Sequence, residues 1–427
     1  MSTAAAAPTR PRRAFSSLPR RHALLGGTTT RRDVSTALRH LGVPRSLADG
    51  PAIEAFEKSF AAYVGVRHAV SFAAGRVGLY GILRSLGIGT GDEVLVPLPT
   101  HIVVANAVRY TGARPAYADC DLSTYNIDLE QAERRLTTRT RAMLVQHTFG
   151  IPVAMEDAMA FADRHGLALI EDCVHALGAV VHGRRVGTFG RAAFFSTEET
   201  KTISTTMGGV VTTNDDELAG SLRAFQRSCE PQSASQAARY LIKLAVYHAL
   251  TEPRAHVLAR AAYEIGGSRH PLPRPTEASE LHGERPRHFA RRLSNGQAAV
   301  GLTQLAALAA NLDHRQRIAK VYQELLASNG FRLPVSPTTA IPAYVRYPVW
   351  VADRSAVQKA MRARLVLGTW FTSVLEESVD PRYGDYLPGS CPCAEEVARH
   401  LVNLPTHGRV TERDAAEIAA RLIAITQ

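Results

Sequence analysis

Asp172 and Lys201 are the two residues whose types and surroundings could do chemistry together. Between residues 168 and 213, one apolar run (A-L-I-E-D) ends in Asp172. A second (A-A-F-F-S) ends in Ser196, with Lys201 five residues further on. Lysine is scarce: Lys58, Lys201, Lys243, Lys320 and Lys359 stand among 50 basic residues that are otherwise arginine. Lys201 runs into T-I-S-T-T-M-G-G-V-V-T, which is unlike the setting of a solvated surface lysine. A lysine amine can condense with an aldehyde, and a carboxylate keeps a pyridine nitrogen protonated so that the ring accepts electrons. Those are the two groups that a pyridoxal 5'-phosphate site needs.

Such residues must be held at the ends of strands. Residues 51–64 place Ile53, Phe56, Phe60 and Tyr63 at helical spacing. Strands are expected at 69–72, 93–97, 114–118, 142–146 and 168–171, alternating with helices at 77–86, 101–111, 129–136 and 155–165. This alternation predicts an α/β fold with a mostly parallel, doubly wound sheet, whose ligands sit beyond the carboxyl ends of the strands. Residues 73–76, 98–101, Asp172 and 196–201 all fall at such ends. Gly75-Arg76 opens a helix directly after a strand, so its first-turn amides attract an anion. Ser196 could add a hydroxyl to the same anion.

The rhythm breaks at 229–288. Apolar helical stretches between 237 and 265 are divided at Thr251-Glu-Pro253 and followed by a Pro-, Arg- and His-rich loop. A long helix is expected over 292–326, and mixed strand and helix signals over 340–427 predict a smaller C-terminal α/β domain. The resulting division is a disordered arm at 1–46, a large domain at 47–228, an inserted segment at 229–288, and a long helix with a small domain at 289–427. Residues 1–32 contain no acid, and the short apolar stretch after Arg20-Arg21 cannot serve as a secretion-signal core.

The formal charge is +11, with the excess concentrated in the N-terminal tail and at 254–292. Neither region interleaves aromatic with basic residues, so no nucleic-acid partner is expected. Five cysteines are too few and oddly numbered for a disulfide framework, and Cys391-Pro-Cys393 is too tight for a zinc ribbon. Free thiols in a reducing cytoplasmic compartment, and no metal, are the expectation. No apolar run reaches the roughly 20 residues of a membrane-spanning helix, and membrane association through 229–288 is not expected.

The order of motifs resembles the DegT/DnrJ/StrS family of sugar aminotransferases, fold type I pyridoxal phosphate enzymes. The resemblance rests on D-G-P…F-E at 49–57, G-D-E-V at 91–94, N-A-V at 106–108 and Glu171-Asp172. It continues through the Phe-Ser and lysine segment at 195–201, G-G-V-V-T at 208–212 and L-P-T-H at 404–407. It covers about 47–427 apart from much of 229–288.

The resemblance implies that Lys201 binds the cofactor and shuttles the proton, and that Asp172 pairs with the ring nitrogen. Gly75, Arg76 and Ser196 would hold the phosphate. His101 takes the place of an aromatic that stacks on the ring, and His175 lies against its other side. Arg227 would reach the neighbouring subunit's phosphate in a homodimer with shared sites. The implied reaction moves an amino group from an amino acid, glutamate or glutamine, to a keto group of a nucleotide-linked sugar or cyclitol. Glu198-Glu199 departs from the family's usual residues just before the lysine. That departure keeps open a non-sugar natural-product substrate, and a cofactor-binding regulator without catalysis is the reading from another class.

Overall fold

The computed structural model describes residues 21–23, 27–256, 275–362, 365–368 and 370–427. Seven strands form the central sheet: β1 (His68–Phe72), β2 (Glu93–Pro97), β3 (Arg114–Ala118), β4 (Thr140–Gln146), β5 (Ala168–Asp172), β6 (Ala192–Ser196) and β7 (Gly209–Thr213). Their spatial order is β1-β7-β6-β5-β4-β2-β3. Only β7 runs antiparallel to its neighbours, and every other pairing is parallel. Parallel strands need both faces covered, which is why they read as continuous apolar runs; β2 is buried at all five positions. One face packs a core around Val96, Leu144, Ile170 and Phe194, and the other a core around Leu95, Met143, Val145 and Phe195.

The register sets the site. Asp172 pairs with Phe194 and Gln146 with Asp172, so β4 and β5 end level and β6 runs two residues further, to Ser196.

The N-terminal region departs from the expected arm. Residues 31–46 are ordered: α1 (Arg31–Leu41) is capped by Thr30, whose side chain accepts from the Asp33 amide while Asp33 Oδ2 accepts from the Thr30 amide at 2.7 Å. This is a capping box, and the T-R-R-D string carries it. The inserted segment supplies its partner. Helix α7 (Ala234–Leu250) packs with α1 against α8 (Asn295–Ala306), and Ala37, Leu47, Leu241, Leu244 and Val300 form a shared core. The two segments set apart in the sequence therefore make one helical layer. Much of the arm, 1–20 and 24–26, and the second expected helix of the insertion, 257–265, lie outside the described residues.

The long helix expected over 292–326 is two, α8 and α9 (Leu308–Ala327), meeting at Ala307. In the small domain, β8 (Arg346–Trp350) pairs antiparallel with β9 (Leu401–Pro405). Beneath them pack α9, α10 (Arg354–Met361) and α11 (Glu412–Thr426), around Tyr322, Tyr347, Val349 and Leu404. The described cysteines are all free thiols. Among the described residues, no helix is long and apolar enough to cross a membrane.

Candidate functional site

A cavity of about 240 Å³ opens at the carboxyl end of the sheet, and seven of the eight residues singled out from the sequence line it. These are Gly75, Arg76, His101, Asp172, His175, Ser196 and Lys201. Arg227 is the exception. It lies exposed on the last turn of α6 (Asp216–Ser228), away from its own chain's cavity.

Helix α3 (Gly75–Ser85) begins without a side-chain cap, because Ala74 at the N-cap has no polar group. Its first amides are therefore left for a ligand. A Cβ on Gly75 would stand 3.2 Å from the Phe195 carbonyl, and one on Gly209 would land on the Gly75 nitrogen. Glycine at both positions lets the helix start press into the ends of β6 and β7. Ser196 stands beside that start, its hydroxyl accepting from the Glu198 amide at 3.3 Å. The result is a small cup of amides and a hydroxyl, suited to a phosphate.

The Arg76 side chain does not turn into the cup alone. Its Nε lies 2.6 Å from Glu280 Oε1, and Nη2 donates to Glu280 Oε2 at 2.8 Å and to the Pro275 carbonyl at 2.9 Å. The Arg76 guanidinium thus anchors the end of the inserted segment, whose Pro275 and Thr276 border the cavity. Asn106 adds a second anchor, donating to the Glu280 carbonyl at 2.8 Å.

Asp172 closes β5. Its Oδ1 accepts from the Val174 amide at 3.1 Å, whereas its Oδ2 is buried without a partner. Burial pushes its pKa up to about 7, against the Val174 amide and the Lys201 charge, which both favour the anion. Lys201 is the reverse case: burial lowers it to about 8. Glu198 opposes that shift, Arg346 adds to it, and Asp172 and Glu377 oppose it again. An amine so placed is partly neutral near physiological pH, as a nucleophile or proton carrier requires.

His175 is buried and held neutral, chiefly by desolvation and then by the Lys201, Arg346 and His101 charges. Its Nδ1 accepts from the Phe149 amide at 3.3 Å, so Nε2 carries the hydrogen. His101 caps α4 (Ile102–Arg109), its Nδ1 accepting from the Val103 amide at 3.3 Å, with Nε2 3.3 Å from Glu377.

An aromatic group absent from the sequence reading is also present. Trp370 lies flat on His175, with centroids 4.4 Å apart and planes at 15°, and Lys201 Nζ sits 4.2 Å from its ring centre. Arg346 stacks on the same indole at 3.3 Å. No spacing rule could find Trp370, which comes from the small domain 169 residues after Lys201.

The donor set fits pyridoxal 5'-phosphate. An unpartnered buried carboxylate oxygen awaits an N–H, an uncapped helix start awaits an anion, and a lysine with a lowered pKa shares the cavity. A metal does not fit the one buried His-Glu-Cys group among the described residues, His147, Glu171 and Cys173. His147 Nδ1 accepts from the Val153 amide, and Glu171 already accepts from the amides of Gly187, Phe189 and Gly190 at 2.7–2.8 Å.

Comparison with known proteins gives a consistent picture. The model of the DegT/DnrJ/EryC1/StrS aminotransferase family matches residues 31–423, starting at the first residue of α1. GDP-perosamine synthase of Caulobacter vibrioides is 32% identical over 381 residues, covering 87% of this chain and 90% of its own. L-glutamine:2-deoxy-scyllo-inosose aminotransferase of Streptomyces paromomycinus is 32% identical over 318 residues, 73% of this chain and 66% of its own. Among solved structures, S. venezuelae DesV in complex with a ketimine intermediate superposes with a TM-score of 0.73 at 30% identity, covering 93% of this chain and 94% of that one.

Proposed function

The chain belongs to the DegT/DnrJ/EryC1/StrS aminotransferase family, and on that footing we propose that it moves an amino group from glutamate or glutamine to the keto carbon of a nucleotide-linked sugar or cyclitol. The names of its relatives, a GDP-perosamine synthase and a glutamine-dependent scyllo-inosose enzyme, support that acceptor class and that donor. Pyridoxal 5'-phosphate, when bound, supplies a ring that accepts electrons from the carbon bearing the amino group.

The chain's own residues do the rest. Asp172 Oδ2 would accept the ring N–H and keep that nitrogen protonated. The amides of Gly75 and Arg76 and the Ser196 hydroxyl would hold the phosphate. His175 and His101 would lie against the ring. Lys201 Nζ would bind the cofactor's aldehyde carbon, and the free amine would take up a proton and return it as general acid and base. In a homodimer, Arg227 would reach the phosphate bound by the neighbouring subunit.

The observation that carries this reading is the orphaned Asp172 Oδ2 in the same cavity as Lys201. Titrating the cofactor into purified protein tests it. Visible absorbance should appear, and borohydride should then leave a pyridoxyl group on the peptide containing Lys201. Glutamate or glutamine should bleach the unreduced protein, and a ketosugar or ketocyclitol should restore its colour. A protein that never takes up the cofactor overturns the reading, whereas uptake without bleaching by any amino donor would mark a non-catalytic binder.

A further inference from the structure

Two acids, Glu198 and Glu199, stand just before Lys201, and the fold gives them different partners. Glu199 turns inward to a buried ion pair 2.7 Å from Lys243 Nζ, with side chains only 6% and 2% exposed. Lys243 comes from α7, in the inserted segment, and its Nζ also sits 5.1 Å from the Tyr247 ring. Thr206 strengthens the same junction, its hydroxyl donating to the Tyr240 carbonyl at 3.0 Å. Both acids border the cavity that holds Lys201, but Glu198 has no such ion pair among the described residues, and its charge is the one that acts most on Lys201. Its carboxylate accepts from the Thr200 amide at 3.0 Å, its own amide donates to Ser196 Oγ at 3.3 Å, and its carbonyl accepts from the Lys201 amide at 3.1 Å. The 198–201 turn is therefore a short bridge between the anion cup and the reacting lysine, and Glu199 is its one side chain fastened to another element by an ion pair among the described residues.

We propose that Lys243 is a positioning residue, which by binding Glu199 fixes the 198–201 turn so that the Glu198 carboxylate faces the cleft beside Lys201. This rests on the reading of Lys201 as the reacting amine. The physical reason is that a one-residue rotation of this turn would exchange the two acids. A buried carboxylate without a partner is costly, so whichever acid meets Lys243 stays inside and the other is presented to the site. Helix α7, which does not line the cavity, thereby acts on its chemistry.

The pH dependence of Lys201 modification by trinitrobenzenesulfonate, in the full-length chain freed of cofactor and read by peptide mapping, tests this. The charged groups facing Lys201 are Glu198, Arg346, Asp172 and Glu377, and Glu198 is the strongest of those favouring the charged amine. Wild type should titrate with a midpoint near 8. Glu198→Gln should lower that midpoint by about half a unit or more.

Lys243→Arg should keep the wild-type midpoint, whereas removing both partners of the ion pair should lower it, although that alters none of the four facing groups. Lys243→Met could fail to fold, because it strands Glu199. The double variant Glu199→Met/Lys243→Met removes the pair without leaving a buried charge. Because the charges it removes cancel at a distance, any shift reports movement of Glu198. The proposal is overturned if the double variant melts cooperatively and keeps the wild-type midpoint, or if Glu198→Gln leaves it unmoved. Failure of wild type to take up pyridoxal 5'-phosphate would instead overturn the functional reading, and the labelling result would still decide this one.

Discussion

Lys201 and Asp172 lie at opposite ends of one electrostatic problem, in which burial disfavours the charged form of each and the cofactor would satisfy both. Replacing Lys201 with Ala should lower transamination by about 10²–10⁴-fold, the usual worth of a positioned acid–base group. Borohydride should then fix no cofactor to the chain, which peptide mapping would show. Asp172 yields a prediction for the unloaded protein. Its pKa is raised from the ordinary carboxylate range to about 7, so between about pH 4 and pH 7 the native state holds a proton that the unfolded chain has lost. Stability must therefore fall as pH rises across that window. Asp172→Asn should abolish this component, flattening the pH dependence of chemical denaturation below neutrality. An unchanged slope would refute the assignment. Lys201 acts separately and at higher pH, its pKa being lowered to about 8. Both residues were legible from their chemistry at strand ends. Trp370 and Glu280 were not, because each reaches the site from a distant stretch with no local signal.

Elements decide what those residues can do. The cup exists because α3 starts uncapped and Gly209 yields to it, so Gly209→Ala should weaken cofactor binding at least about tenfold, by a clash that costs more than 1.4 kcal/mol. Equilibrium titration of the cofactor checks this. The Arg76–Glu280 pair, with Glu280 fully buried, should behave asymmetrically. Arg76→Met leaves an uncompensated buried carboxylate and should destabilise the protein by about 3–5 kcal/mol, whereas Arg76→Met/Glu280→Met should recover most of that. Denaturant melts of the two variants make the comparison. The expected arm shows why element boundaries were less legible here. T-R-R-D is a helix start, yet α1 has little apolar surface by itself, and its partner α7 lies some 200 residues later. Neither helix declares its packing until both meet α8.

At the scale of the whole molecule, the proposed sharing of sites between subunits has its own test. Lys201→Ala and Arg227→Ala variants, each impaired alone, should regain activity when unfolded together and refolded. Half of random dimers are mixed, and one of the two sites in a mixed dimer carries both wild-type residues, so recovery should approach about a quarter of wild type. No recovery would place Arg227 outside the partner's site. What the sequence determined by itself was the class of sheet, the strand ends and the placing of an acid and a lysine beside them, because apolar runs and local turns are short-range properties of the chain. What only the tertiary structure decided was the company those residues keep. Arg76 binds Glu280, Trp370 stacks on His175, and Glu199 is drawn to Lys243 while Glu198 is left in the cleft. Each of these depends on groups 44 to 204 residues apart finding one another, which is settled by burial and charge pairing in the packed chain rather than by spacing along it.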